Sequence, residues 1–415
     1  MTRRDEHTQS HAVVEETLRR TLGHAAGNAP PLPAALTAGL DGHCRRRRHR
    51  TQALLAAAAV VVVADITTGI TTGITTGRPQ PGTPGHPSPV ATATPIDPPQ
   101  PVEDVWPQAV RKVPAKTPDG VALRPLQFID DRTLLASTWS SHEKTSTLYA
   151  YDLDTHQPRA ITDVVTPKGT VLFASDFTVG GNRVAWWSML KDGTIQIWTA
   201  PLSGGAPEVA TTVRAGERGL DHVEIVGDRI VFSARAGGVH TAPPSGGPAS
   251  PVPDTGSLHL LSWPWAGTPG LYDRAEGPPF AKIRNVETGE TRTAVVHDGE
   301  EVTTCSVASC AGHREGKSFL RSRDGSGRRD LPGSPGTRTL PLHDRFHVTS
   351  LVDGRRFIAV ALYDLRTGRS GDLGIKAEPT EHGGYAVSLP GFDRAGRLLA
   401  YTVGKTLYVI DLSKI

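Results

Sequence analysis

From about residue 108 onward the sequence repeats itself with a period of about 43 residues, and this period limits the fold more than any other feature does. Two units recur in tandem. The first is an apolar strand, a Gly or Asp turn usually ending in Arg, and a second apolar strand: LQFIDDRTLLAST, FTVGGNRVAWWSM, VEIVGDRIVFSAR, VTSLVDGRRFIAVAL and LPGFDRAGRLLAYTV. The second is a strand that ends in a turn and continues as a more polar strand, as in LYAYDLDTHQPRAI, IQIWTAPLSGGAPEV, AKIRNVETGETRTAV and VALYDLRTGRSGDLG. Aligning the second unit sets Asp152, Pro201, Pro243, Asn285, Arg323, Asp364 and Asp411 in equivalent places. In the first unit Arg132, Arg183, Arg229, Arg356 and Arg397 keep the same rhythm.

Within each unit the apolar residues alternate with period two, which marks strands rather than helices. A period of about 43 residues suits a four-stranded propeller blade, whereas six blades over the same span would need about 51 residues each. The expected fold is therefore all-β, a seven-bladed β-propeller over residues 108–415, with six or eight blades as the alternatives. Each twisted sheet buries both faces against its neighbours, and closing the ring protects the sheet edges. The last copy, TLYVIDLSKI, supplies only a third strand. The segment AVRKVP, with Val110 and Val113, precedes the first blade and is expected to supply the missing outer strand. The 44 Gly are spread as punctuation between strands, whereas ten of the 34 Pro crowd into residues 78–107. That stretch reads as a disordered, semi-rigid Pro/Thr-rich linker, placed at 75–107.

The N-terminal part is of another kind. CRRRRHR is followed by the uncharged run Ala53 to Ala64 and a triple ITTG repeat. The run alone is shorter than the roughly 20 residues a membrane-spanning helix needs, so the span is set at 51–74, with Asp65 near its outer end. The Arg45 to Arg50 cluster places residues 1–50 in the cytoplasm and the remainder outside. A cleaved signal peptide, read at Val62-Val63-Ala64, and a buried core helix are the competing readings. Within the tail, Val14, Leu18 and Leu22 recur at helical spacing between Ser10 and Gly23, marking a short helix over 11–22 that could meet a cytoplasmic partner.

The overall charge is balanced, +3, and shows no nucleic-acid footprint. The motifs of acyl-transfer elbows, phosphate loops, zinc proteases and dinucleotide sites are missing, so no catalytic, cofactor or metal residues are assigned. Asp152, Asp154 and His156 resemble a cation loop but fit a hairpin turn better, and Asp130 with Asp131 also falls in a turn. Cys305 and Cys310, five apart in the first hairpin of the fifth blade, are candidates for a disulfide, with free thiols or a metal pair as alternatives. Trp186 and Trp187, adjacent in a strand, must face opposite sides. Trp263 and Trp265 flank Pro264 before a Pro- and Gly-rich loop, which makes them candidate ligand-stacking aromatics beside their alternative as core.

The Y-D-L, I-D-L and D-x-x-T-G turns (Asp364, Thr367, Gly368), together with the repeat period, resemble those of bacterial WD40-like and TolB-like propeller proteins. An Arg-rich, Lys-poor composition points to the actinobacterial, membrane-anchored kind. The Trp-Asp and Gly-His dipeptides of eukaryotic WD40 blades are not repeated, so the resemblance is architectural. It implies an exported, single-pass membrane protein whose propeller is a non-enzymatic binding or assembly module for a protein, peptide or cell-envelope glycan. Two other readings stand beside it. One is a transmembrane regulator of anti-sigma type, although the His-x3-Cys-x2-Cys pattern of zinc anti-sigma domains is absent and Cys44 is the tail's one cysteine. The other is a propeller hydrolase or lyase.

Overall fold

A computed structural model describes residues 97–415, except 142–143, 215–217, 274–276, 334–339, 354–355 and 380–384, together with the backbone of Ala59–Val62. Those four residues run antiparallel beside Tyr385–Ser388. The rest of the 51–74 span, the tail 1–50 with its 11–22 helix, and linker residues 75–96 lie outside the described residues. Among the described residues no helix is long and apolar enough to cross a membrane.

Seven blade sheets, all antiparallel, follow one another along the chain, and Ala59–Val62, Tyr385–Ser388 and Glu378–Pro379 form a further three-stranded sheet. The first five span residues 124–163, 170–214, 220–251, 259–293 and 301–330 with four strands each. The sixth has three named strands, Phe346–Asp353, Arg356–Asp364 and Ser370–Asp372. The seventh combines Gly391–Phe392, Leu398–Val403 and Thr406–Asp411 with Val110–Pro114 as its outer strand. The seven-bladed expectation and the closure by Val110 and Val113 both hold.

The strands are buried on two faces, because each blade is sandwiched between two others. Trp186 and Trp187 display this in one dipeptide. Trp186 packs with Leu135, Leu148 and Trp198 between blades 1 and 2, and Trp187 with Ile197 and Phe232 between blades 2 and 3. Between blades 7 and 1, Val113 joins Leu134, Leu398 and Val409.

A backbone hydrogen bond repeats around the ring. The residue after the third strand donates its N–H to the carbonyl just before or at the start of the second strand: Leu153 to Arg132 at 2.8 Å, Leu202 to Asn182 at 3.0 Å, Val286 to Pro264 at 2.9 Å, Arg323 to Ala308 at 2.9 Å, Leu365 to Arg345 at 2.8 Å and Leu412 to Arg397 at 2.9 Å. Blade 3 has Pro243 and Pro244 there, and neither has the donor. All seven aligned anchors thus sit at the ends of third strands. The same bond corrects the arginine rhythm in blade 6, where Arg345 holds the position and Arg356 opens the third strand instead. A Gly-containing hairpin between two apolar strands reads alike at either place. Arg345 grips Asp364 through two bonds of 2.7 Å, as Arg397 grips Asp411 at 3.0 and 2.7 Å.

The linker boundary also shifts. Residues 100–107, expected to be the disordered end of the linker, are packed. Pro101 pairs in parallel with Asp372, a one-turn helix, α1, runs Val102–Val105, and Arg369 donates to the Val105 carbonyl at 2.7 Å. Val102, Val105 and Trp106 fill the core between blades 6 and 7 with Leu362, Leu399 and Ile410. Three apolar side chains at i, i+3 and i+4 make one helical turn amphipathic, enough to cover the outer edge of blade 6 beside Ser370–Asp372.

The N-terminal segment thus closes two blades in succession. Trp106→Ala is expected to cost about 3–5 kcal/mol in urea denaturation, since a fully buried indole leaves a cavity. Arg111→Ala, on the solvent side of the closing strand, is expected to stay within about 0.5 kcal/mol.

Candidate functional site

The inner strands bring together charged residues that lie far apart in sequence. In blade 2 the inner strand Thr170–Gly180 is bulged between Ser175 and Thr178, and Asp176 sits there with φ of 53°. A bulge re-aims its side chain. Trp187 Nε1 donates to Asp176 Oδ2 at 3.0 Å. The inner strand of blade 3, Leu220–Val226, carries Asp221, His222 and Glu224, and that of blade 4, His259–Ser262, begins with His259. From the first turn of blade 7, Arg394 reaches across to Asp176 Oδ1 at 3.3 Å, to the Asp221 carbonyl at 3.3 Å and to His222 Nδ1. Blade 7 is a ring neighbour of neither blade 2 nor blade 3, so this side chain crosses the ring's axis.

His259 is clamped between two carboxylates. Its Nδ1 lies 2.5 Å from Asp221 Oδ2 and its Nε2 3.2 Å from Asp273 Oδ2. Asp273 is itself held by the Gly270 N–H at 2.8 Å. A Cβ at Gly270 would stand 2.6 Å from the imidazole, so only glycine lets this loop lie over the ring. The second Asp221 oxygen accepts from Ser233 Oγ, which also accepts from the Leu260 N–H at 2.9 Å. Burial opposes the charge on His259, but Asp221 and Asp273 outweigh it and raise its pKa above 6.5. His222 goes the other way, lowered by burial and by the Arg394 guanidinium. Burial raises the Glu224 carboxyl, but His222, the Trp263 N–H and Arg394 more than offset it and hold the group below 4.5.

Both imidazole nitrogens of His259 face carboxylates, and Ser233 bonds to Asp221 rather than to the histidine. The hydroxyl therefore meets the carboxylate and not the imidazole, which is a different order from a Ser-His-Asp relay. Among the described residues no group of three or more His, Cys, Asp or Glu is placed to hold a metal ion. What the arrangement can do is lock charge: an imidazolium between two carboxylates, and a guanidinium spoke across the channel.

The sequence-derived candidates fall elsewhere. Trp265 is 9% exposed, packs with Phe280 and Ile283, and has the Arg292 guanidinium 4.5 Å over its ring, so it is a core residue without a face to stack on. Trp263 is half-buried; its Nε1 donates to Glu287 at 3.1 Å and Arg229 lies 5.3 Å over its ring. Asp152 Oδ1 accepts from the Asp154 and Thr155 N–H groups at 2.9 and 2.8 Å, the expected hairpin turn, and Asp130 does the same for Arg132 and Thr133. Cys305 and Cys310 are cross-strand partners with Cα atoms 4.0 Å apart and their sulfurs in contact.

No protein-family description matches the chain, and no curated protein does. Solved structures similar to it include proteins described as β-propeller domains. YCF48 from Cyanidioschyzon merolae is one similar structure (10% identity, TM-score 0.38, 74% of this chain and 100% of that one). The propeller domain of the Trilobed protease from Pyrococcus furiosus follows (12%, 0.38, 68% and 90%). An oligogalacturonate lyase from Vibrio parahaemolyticus is a third (11%, 0.30, 69% and 76%). Likeness at this level transfers neither activity nor ligand, and the blade count rests on the seven sheets themselves.

Two outcomes follow from these geometries. The His259 clamp stabilises the fold fully below the ordinary imidazole pKa of 6.5 and loses that contribution as pH rises through the raised folded value, because folding then requires a proton the unfolded chain has released. His222 acts in reverse, its contribution present above 6.5 and lost as pH falls. Melting temperatures across the pH range are expected to show a steeper alkaline decline in the wild type than in His259→Gln. For the cysteines, thiol titration of the denatured, unreduced chain is expected to find Cys44 alone, and all three after reduction. A bridge across so short a loop would contribute about 2 kcal/mol in a chain-entropy model.

Proposed function

We propose that this chain is a membrane-tethered, non-enzymatic binding module whose propeller lies outside the cytoplasm and engages a protein or peptide through one face of the ring. The observation that carries the reading is the distribution of exposed apolar side chains. First strands run toward the face that holds the first–second and third–fourth turns; the other connections lie on the opposite face. Of the large apolar side chains exposed among the described residues, Leu271 and Tyr272 lie in blade 4's second–third connection. Val295 and Val296 lead into blade 5, Val165 and Val171 into blade 2, and Val121 into blade 1, while Val352 ends blade 6's second strand. Leu271, Tyr272, Val165, Val171, Val121 and Val352 belong to the second face, whereas Val295 donates its N–H to the Arg323 carbonyl at blade 5's third–fourth turn at 2.9 Å. Val209 and Phe392 also lie toward the first face, where the repeated Arg–Asp pairs sit. Apolar groups gathered on one side of a polar ring are the usual mark of an interaction surface.

The closed channel network supports the non-enzymatic part, because its imidazole and carboxylates are committed to one another. The tether rests on the apolar run after Arg45 to Arg48. In lipid that run must close its own backbone hydrogen bonds as a helix, whereas an extended segment needs a strand partner such as Tyr385–Ser388.

Two experiments test the reading. In intact cells a membrane-impermeant maleimide is expected to spare Cys44 until the membrane is permeabilised; labelling before that step overturns the orientation. In crosslinking from native cells, a partner recovered with the wild type is expected to be lost with Leu271→Asp/Val165→Asp and retained with Phe392→Asp. Equal recovery from all three removes the assigned face, and recovery of no partner removes the binding module.

A further inference from the structure

The contact between Arg394 and His222 fixes where the imidazole carries its proton. A guanidinium has donors and no acceptor, so the contact needs a lone pair on His222 Nδ1 and leaves the ring's one proton on Nε2. That nitrogen is buried without a hydrogen-bond partner, and Glu224 Oε2 stands 3.6 Å away, too far for one. Glu224 is held in place by the Trp263 N–H, which donates to its other oxygen at 2.6 Å. Arg394 also reaches Asp176 Oδ1 and the Asp221 carbonyl, at 3.3 Å each. Its side chain is 46% exposed, whereas His222 is buried on an inner strand.

We propose that this contact is an acid-released latch: when His222 takes up a second proton, Arg394 leaves its seat across the channel and the imidazolium pairs with Glu224 instead. The latch is independent of the partner engaged by the ring face. Protonation puts an N–H on Nδ1, so that two donors and two positive charges face each other where one hydrogen bond stood. His222 is fixed by its strand, so the arginine, which arrives from the first turn of blade 7, is the group that moves. Both arrangements use groups already in place. With the latch closed, the guanidinium spans the channel and the Nε2 proton is unpaired. With it open, Nε2 and Glu224 close their 3.6 Å gap and the guanidinium returns to water. The charged groups around His222 are Asp221 and Glu224 on its own strand, Asp176 from blade 2, His259 with Asp273 from blade 4, and Arg394 from blade 7. His259 titrates above 6.5 and Glu224 below 4.5, so neither changes the charge around His222 in the interval between.

A double-mutant cycle between Asp176→Asn and Arg394→Gln, read as urea unfolding constants of the full chain, tests the latch. At about pH 8 the two substitutions are expected to couple by about fivefold, and at about pH 5 the coupling is expected to vanish. In a His222→Asn background the amide oxygen takes the place of Nδ1 as acceptor and gains no proton, so the coupling is expected to persist at both pH values. Histidine NMR adds a measurement that needs no unfolding: Arg394→Gln is expected to shift the His222 titration to higher pH. Coupling that survives the lower pH in the wild type overturns the proposal, as does coupling that is lost there in His222→Asn too. Absence of coupling at the higher pH, or a His222 titration that Arg394→Gln leaves unmoved, overturns it as well.

Discussion

Every blade of this ring has two apolar faces and therefore needs two neighbours. Trp186 and Trp187 state the requirement most compactly, since removing the blade on either side would expose one indole. A ring built this way has no natural end, and its weakest place is where the first and last parts of the chain meet. There the structure puts Val102, Trp106 and Val113, each almost fully buried, under the outer edges of two successive blades. Closure is thus made by residues that precede the first repeat. The rest of the fold depends on this seam, because an open ring leaves apolar faces and unpaired strand edges to water.

Rigidity at the seam is reinforced by charge. Arg397 bonds to Asp411 within blade 7 and to Asp131 at the first turn of blade 1, and Arg345 repeats the first of these arrangements with Asp364 in blade 6. These pairs are partly buried and bidentate, the geometry in which arginine and carboxylate contribute most. Arg345 draws the Asp364 carboxyl well below the ordinary range despite partial burial, so the pair stays ionised across physiological pH. The first-turn face is consequently polar and internally paired. The opposite face carries the uncovered valines, Leu271 and Tyr272, and the two faces differ in what they offer a partner.

How far the sequence discloses this follows from the range of each interaction. The third-strand ends were legible because their chemistry is local: Asp152, Asn285, Asp364 and Asp411 each cap a turn within two or three residues, and such turns recur at blade period. Arg356 was misplaced by one hairpin because a hairpin's sequence records its turn and its alternation, not its place in the blade. Residues 100–107 read as linker because proline density dominates them, whereas the buried pattern needs only Val102, Val105 and Trp106. The channel network left no local trace. Asp221 and His259 are 38 residues apart, and Arg394 is 172 from His222, so only the closed ring brings them into contact.

The same reasoning separates structure from recognition within the network. A histidine between two carboxylates and a guanidinium spanning the axis hold blades 2, 3, 4 and 7 in fixed relation. In a low-dielectric interior such committed charges are costly to disturb, because removing one partner leaves another unpaired. They therefore serve as a brace. The brace explains how the inner strands of blades that are not neighbours keep a fixed spacing across the channel, and it leaves recognition to the exposed side chains of the ring's two faces.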